Sequence, residues 1–416
     1  MMRSLFAAVS GLKTHQQRMD VIGNNIANVN TVGFKRSRVT FQDMLNQTIR
    51  GASRPVPGGR GGTNPMQIGP GVSLGSIDLI MGGSSLQDTG KNTDLGIDGD
   101  GFFILSDGSR TYYTRVGTFD FDEEGNLVSL LNGMRVQGWM PDNPDTLTDI
   151  RINVNESESA KATTQMVLGG NLDSRVPRYD ASDPTTTNSR VLLRHTVYDS
   201  KGQEYIVTIQ LTKTGDNQWT WELTNIEGPA GLNMSFDANQ SGVINFNPDG
   251  TYSAVDHNTI EFSPTGSYPV NITLDFSKMT QYGSAHDAAV ESQDGYKSGV
   301  LESFTIDQNG NIVGVFSNGI TRNLGQIALA RFVNPAGLLK EGNSLYSITS
   351  NSGSPLIGTA NSGGFGSIKP GSLEMSNVDL STEFTEMIIT QRGFQANSRV
   401  ITTSDEMLQE LVNLKR

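Results

Sequence analysis

Leu5, Leu12, Met19 and Ile26 recur at seven-residue intervals at one end of this 416-residue chain, and Met387, Phe394, Ile401 and Leu408 do the same at the other. A seven-residue apolar period calls for a helix whose stripe is covered by another helix. Ala8, Ile22 and Val29 stand on accompanying positions of the first stripe, with His15 the exception. Ser10, Gly11 and Lys13 interrupt the short apolar run that follows Arg3, so the start reads as an amphipathic helix and not as a cleavable leader. In the second stripe Ser376, Asn377 and Asp379 supply caps, and Gly393 is the sole breaker.

Between the stripes the period changes from seven to two. The run "SRVLLRHTVYDSKGQEYIVTIQLTKTGDNQWTWEL" alternates apolar and polar residues as three half-buried strands, with turns at 199–202 and 214–217. The region 146–285 is rich in such units and reads as a β domain of its own. An internal echo flanks it: "FDFDEEGNLVSLLNGMRVQGW" and "FTIDQNGNIVGVFSNGITRNLGQ" share the order Phe, Asp, Gly-Asn, an apolar pair and a downstream Asn-Gly. Asp122 and Asp307 would open matching turns, and Gly125 and Gly310 would take the left-handed residue. The expected layout is therefore nested. Segments 1–30 and 370–416 form a helical assembly domain, 31–75 a Gly/Pro/Arg-rich hinge, 76–145 with 286–369 an inner β domain, and 146–285 an inserted outer one. The fold class is α+β, mainly β, with antiparallel domains of barrel or sandwich type outside a coiled-coil-like helical layer.

Composition narrows function mainly by exclusion. The net charge of −12 leaves no broad basic face for phosphates, so nucleic acid is not an expected partner. The absence of cysteine removes disulfides and thiolate chemistry. No uninterrupted apolar run is long enough for membrane insertion. Gly71-Val72-Ser73-Leu74-Gly75 has the spelling of a nucleophile elbow, but an alternating strand pattern follows where a helix is required. "DFDEEG" opens like a calcium loop, yet Leu131 stands where the bidentate Glu belongs. His15, His195, His257 and His286 show no ligand spacing. No enzyme, metal or cofactor is expected.

Asn24, Asn25 and Asn28 crowd the end of the first helix, and Gln391, Gln395 and Asn397 stand beside the second stripe. Asn competes for backbone hydrogen bonds and is a mediocre helix former, so amides at covered positions need partners. Two lone helices offer too little surface to satisfy the apolar stripes and the amides. The expected partner is many copies of the same chain, with both ends disordered until assembly. Basic residues from Lys35 to Arg60, among them Arg36 and Arg38, would meet Glu374, Asp379, Glu383 and Glu386 of neighbouring copies.

The stretch "DVIGNNIANVNTVGFKR" resembles the N-terminal signature of flagellar rod and hook axial proteins, matched at Asp20, Asn24, Asn25, Ile26, Ala27, Asn28, Thr31, Gly33, Phe34 and Lys35. The closing "SNVDLSTEFTEMIITQRGFQANSRVITTSDEMLQELVNL" is similar to the family's last helix, and "DGFFIL", "YTRVGTFDFDEEGNLV" and "VYDSKG" extend the likeness. The length points to the hook-forming members. The resemblance implies a structural subunit of a curved tube that carries torque as a universal joint. It also implies export through the flagellar type III apparatus without a cleavable signal, an extracellular location, and contacts with rod, hook cap and hook–filament junction proteins. It implies an assembly interface at Leu5, Leu12, Met19, Ile22, Asn24, Asn25, Ile26, Asn28, Met387, Phe394, Ile401 and Leu408, with Gly33, Phe34, Lys35, Arg36 and Arg38 in the connector. A distal rod or junction protein, or more remotely a secreted β-rich adhesin, is the alternative.

Overall fold

The computed structural model describes residues 2–55, 61–153, 157–228, 240–264 and 267–414. The chain divides into two compact units. Unit 1 holds Met1–Asn153, Thr305–Val313 and Asn323–Arg416; unit 2 holds Val154–Phe304 and Gly314–Arg322. Each is mainly β, and unit 1 adds the two terminal helices, α1 (Met2–Ala27) and α2 (Leu380–Asn413).

In unit 1 the chain leaves α1 through a turn and enters a long two-stranded arm. β1 (Ser37–Asp43) pairs antiparallel with β4 (Val72–Leu79), and further out β2 (Gln47–Arg50) pairs with β3 (Met66–Ile68). The expected irregular hinge is thus a ribbon over much of its length. Gly69, Pro70 and Gly71 sit between β3 and β4, and the β-branched and apolar residues on either side supply enough ladder to form a ribbon. Ser73 lies on β4 opposite Gln42, within a ladder.

The unit's core is built around the strand Phe102–Ser106, every residue of which is buried. It pairs with Thr111–Thr114 on one side, and with Arg135–Met140 and the Leu329–Ala330 stretch of Thr321–Arg331 on the other. Phe102, Ile104, Tyr113, Ala328, Ala330, Phe332 and Tyr346 pack together, with edge-on ring pairs Phe102–Phe332 and Tyr113–Phe332.

The internal echo folds as two equivalent turns. Asp122 accepts from the Asn126 amide at 2.7 Å and its side-chain Nδ2 at 2.8 Å; Asp307 accepts from the same atoms of Asn311 at 2.8 Å and 2.8 Å. Gly125 and Gly310 take φ of 82° and 78°, as the turn requires. A Cβ on Gly125 would also run into the carbonyl oxygen of Ile152.

Unit 2 is a sandwich of two sheets. One orders Arg190–Tyr198, Glu204–Gly215, Gln218–Glu227, Ser241–Phe246 and Tyr252–Val255 as an antiparallel meander. The other orders Thr259–Phe262, Val270–Thr280, Gln165–Asn171 and Ala289–Gln293. Within it Gln165–Asn171 runs parallel to Val270–Thr280, a departure from the expected all-antiparallel arrangement. Alternation fixes which face is buried but carries no strand direction, so this exception was not readable beforehand. Trp219, Trp221, Leu211, Leu274 and Phe276 fill the space between the sheets.

Candidate functional site

The terminal helices lie against each other in unit 1, and the contact is made by small and polar side chains. The residues α1 buries are Ala8, Gly11, Thr14, Ile22 and Asn25; those α2 buries are Glu383, Thr390 and Ser404. A Cβ on Gly11 would come within 2.7 Å of the Asn397 amide, and one on Gly393 within 2.7 Å of the His15 ring. Gly393 therefore does not break α2; it lets His15 of α1 approach its backbone. The Thr14 hydroxyl donates to the Gly11 carbonyl and that of Thr390 to the Glu386 carbonyl, so both are satisfied within their own helices. Arg18 pairs with Glu386 at 3.1 Å across the two helices. Burial, with the Arg18 charge, pushes the His15 imidazole below its ordinary value.

This differs from a stripe-to-stripe seam. Leu5, Leu12, Met19, Ile26, Met387, Ile401 and Leu408 are half-buried, Phe394 is 38% exposed, and of the predicted apolar positions Ala8 and Ile22, both on the accompanying row, are fully covered. Both helices are formed and docked here, in contrast to the disorder expected of a lone copy. What holds them is a polar junction at their base.

That junction is built from the residues just after α1 and just before α2. Gly33, at φ 65°, turns the chain; its amide donates to the Glu374 carbonyl at 2.7 Å, and a Cβ there would lie 2.9 Å from Val116. Phe34 is buried, with the Lys340 ammonium 4.1 Å from its ring centre. Lys35 and Glu374 are both fully buried and meet at 2.6 Å, and Lys35 also donates to the Gly82 carbonyl at 2.9 Å. Arg115 reaches the other Glu374 oxygen at 3.4 Å. Burial pushes the Lys35 ammonium down against the opposing pull of Glu374. The Arg36 amide donates to the Asn377 side-chain oxygen at 2.8 Å, and the Arg36 guanidinium reaches Glu383 at 3.4 Å. Arg38 pairs with Asp78 at 3.4 Å in an exposed position.

The amides resolve in the same place. Asn25 behaves like a strand partner for Ser37: its Nδ2 donates to the Ser37 carbonyl at 2.8 Å, and its Oδ1 accepts the Ser37 amide at 3.0 Å. The same Nδ2 reaches Glu383 at 3.2 Å. Asn28 donates to the carbonyl of exposed Asn24 at 2.9 Å and accepts from Thr31, closing the helix end. Asp379 caps α2, accepting from the Ser381 and Thr382 amides at 2.8 Å and 3.3 Å. The Thr382 and Ser381 donors hold its carboxyl below its usual range.

The acid–base pairing expected between neighbouring copies therefore occurs inside one chain for Lys35, Arg36, Glu374 and Glu383. A helix that must hand over to a strand within a few residues needs these partners locally. Arg60 lies outside the described residues. Arg115 and the capping amide of Asn377 were missed as members of this cluster; the available signal was an arginine inside the apolar stretch "YYTRVGTF". No helix among the described residues is long and apolar enough to cross a membrane.

Four family models match along the chain. They are a flagella basal body rod protein model at residues 5–35, the flagellar hook protein FlgE/F/G D1 domain at 96–167, the flagellar basal body protein FlaE D2 domain at 171–296, and the FlgEFG C-terminal model at 369–414. The chain is 43% identical to the flagellar hook protein FlgE of Borreliella burgdorferi and 40% identical to that of Treponema pallidum, with 100% of each chain covered. It is 34% identical to the flagellar basal-body rod protein FlgG of Bacillus subtilis, again over 100% of both. Among solved structures, Helicobacter pylori flagellar hook protein FlgE2 shares the fold at TM-score 0.55 and 14% identity, covering 70% of this chain and 100% of that one.

Proposed function

The chain belongs to the flagellar hook protein FlgE family and is a structural subunit of the flagellum's hook; on that premise we propose that its copies polymerise through α1 and α2 into a curved tube that works as a universal joint between rod and filament. One observation supports this above the others. The paired helices bury small and polar residues against each other and leave their large apolar side chains outside. Phe6 and Val9 of α1, and Phe384, Ile388, Ile389, Met407 and Leu411 of α2, are each about half exposed or more. Apolar faces of that extent on long helices are covered in an assembly. Leu5, Leu12, Met19, Ile22, Ile26, Met387, Phe394, Ile401 and Leu408 are our candidates for the seam they join. Asn25, with Gly33, Phe34, Lys35 and Arg36, would hold that layer to the β body, while Asn24 and Asn28 close the end of α1 and Arg38 pairs within the arm.

In such a tube the helices keep a continuous wall while the β units shift on polar, exchangeable contacts. The reading places the protein outside the cell, exported by the flagellar type III apparatus, and in contact with rod, hook cap and junction proteins. It gives the chain no catalytic role. Ile401→Asp or Leu408→Asp should abolish tubes in electron micrographs of the purified protein while leaving its β-sheet signal unchanged. Normal tubes from either variant would sink the seam assignment. The full-length match to a rod protein favours one second reading, a straight rod segment, and the curvature of the same tubes separates the two.

A further inference from the structure

Unit 1 contains a cavity of about 360 Å³ walled by Met81, Phe102, Phe332 and Leu356, with Arg115 and Arg331 on its lining. Its lining is thus mixed, apolar side chains beside two cations. Arg115 is almost wholly buried and holds Glu374 through one nitrogen, but its Nε has no partner. Arg331 donates to the Gly364 carbonyl at 3.2 Å and stacks over Phe365, and it has no carboxylate partner among the described residues. One acid, Asp100, shares the lining, leaving a net positive site. Such a cavity suits an apolar side chain carried next to a carboxylate.

The chain displays such a segment. Met44, Leu45 and Asn46 join β1 to β2, and Leu45 is 94% exposed with Met44 beside it at 41%. Asp43, just before them, bonds only to Asn46 at 3.3 Å and has no ion-pair partner among the described residues. This step between the strand pairs is held in shape by the Met44 amide on the Gly71 carbonyl at 3.1 Å. Of other exposed segments with both characters, Ile77–Asp78 has its acid paired with Arg38, and the end of α2 belongs to the apolar face already assigned to the helical layer.

We infer that the Asp43–Leu45 step of the arm of one copy seats in this cavity of a second copy, with Leu45 between Phe332 and Leu356 and Asp43 on Arg331. The inference rests on the proposed polymer, which supplies the second copy. It gives the arm a purpose, since a bare leucine at the step between the two strand pairs of a ribbon is a liability on its own and a key when a lock stands next to it. It also ties contacts between copies to the junction, because the Arg115 that holds Glu374 also lines the cavity.

The chain has no cysteine, which makes the test clean. Full-length Leu45→Cys/Leu356→Cys protein, polymerised and mildly oxidised, should give a ladder of disulfide-linked multimers on non-reducing gels. Leu45→Cys paired with Leu192→Cys, an exposed position in unit 2, should give none. In parallel, Asp43→Arg should raise the critical concentration for polymerisation several-fold, and Arg331→Asp added to it should bring it back. Polymers that form without the ladder, or an Asp43→Arg defect that Arg331→Asp does not relieve, would overturn the docking while leaving the tube intact. Failure of the unaltered chain to polymerise would instead remove the reading beneath it, and this inference too.

Discussion

The sandwich of unit 2 and the helix pair of unit 1 close in opposite ways. Between the sheets the chain buries tryptophan, phenylalanine, leucine and isoleucine; between the helices it buries alanine, glycine, threonine, serine and a single isoleucine. The first region satisfies itself. The second satisfies its backbone and its charges but leaves its apolar surface for other molecules. Stability in unit 2 should therefore reside in packing, and the order of the helices in a few polar anchors at their base.

Removing a large side chain from the sandwich should do the most damage. Trp221 is fully buried, with its indole N–H on the His257 carbonyl at 2.7 Å. Trp221→Ala should cost about 3–5 kcal/mol, cavity included, with one buried acceptor left unpaired. Urea unfolding of the full chain, followed by tryptophan fluorescence, should show that transition move to lower denaturant while the helical signal changes little. Equal losses in both signals would mean that the regions are not energetically distinct.

The matching experiment on the helical region strikes an anchor. Glu374→Ala leaves Lys35 buried without its carboxylate and Arg115 without its acceptor. Breaking a buried pair in this way costs about 3–5 kcal/mol. Limited proteolysis should then cut first around the base of α2, with the unit 2 sandwich left intact. Replacing Lys35, Arg115 and Glu374 together by methionine should restore much of the loss, because the apolar cluster removes every charge that cannot be hydrated.

A smaller effect comes from acid. Partial burial alone would raise the Asp294 carboxyl, but the Thr164 hydroxyl, the Gln165 and Thr164 amides and Lys161 outweigh it and bring the group from an ordinary 3.8 to about 2. A depressed carboxyl contributes stability that is present above its unfolded value and is lost as pH falls through its folded one. Unit 2 should thus weaken from about pH 4 down towards 2, and Asp294→Asn should flatten that part of the profile in thermal melts. Acid should also weaken the Asp379 cap of α2, and Asp294→Asn should leave that loss unchanged.

How much of this was legible beforehand also divides between the two regions. The strand run 190–227 announced itself, because alternation places Val207, Ile209 and Leu211 on one face, and Asp199 and Gly202 mark the turn. The paired echo turns were readable for the same reason: Asp and Gly at fixed offsets serve only a few backbone shapes. The helices were readable as helices, but not which stripe would face inward. An apolar heptad signals that a face will be covered without saying by whom, and here the intramolecular face is the quieter one, Ala8, Gly11 and Thr14 against Thr390, Gly393 and Asn397. The junction was half legible. Lys35, Arg36, Glu374 and Glu383 stood out as charges in need of partners, but sequence alone does not tell a bond within a copy from a bond between copies.

That ambiguity is where the least destabilising substitution becomes the most informative. Ile388 is 57% exposed on α2 and lies away from the buried Thr390 position. Ile388→Asp should change the stability of the isolated chain by no more than about 0.5 kcal/mol, as exposed substitutions generally do. In a tube the same carboxylate would be forced into an apolar contact without a partner, at a cost of several kcal/mol for each subunit repeat. The variant should therefore melt like the unaltered protein and fail to polymerise, as seen by light scattering and electron microscopy. If it melted several degrees lower, the face would belong to the chain's own core. If it polymerised normally, the face would be bare in the assembly as well, and the contrast between a closed sandwich and an open helix pair would lose its meaning.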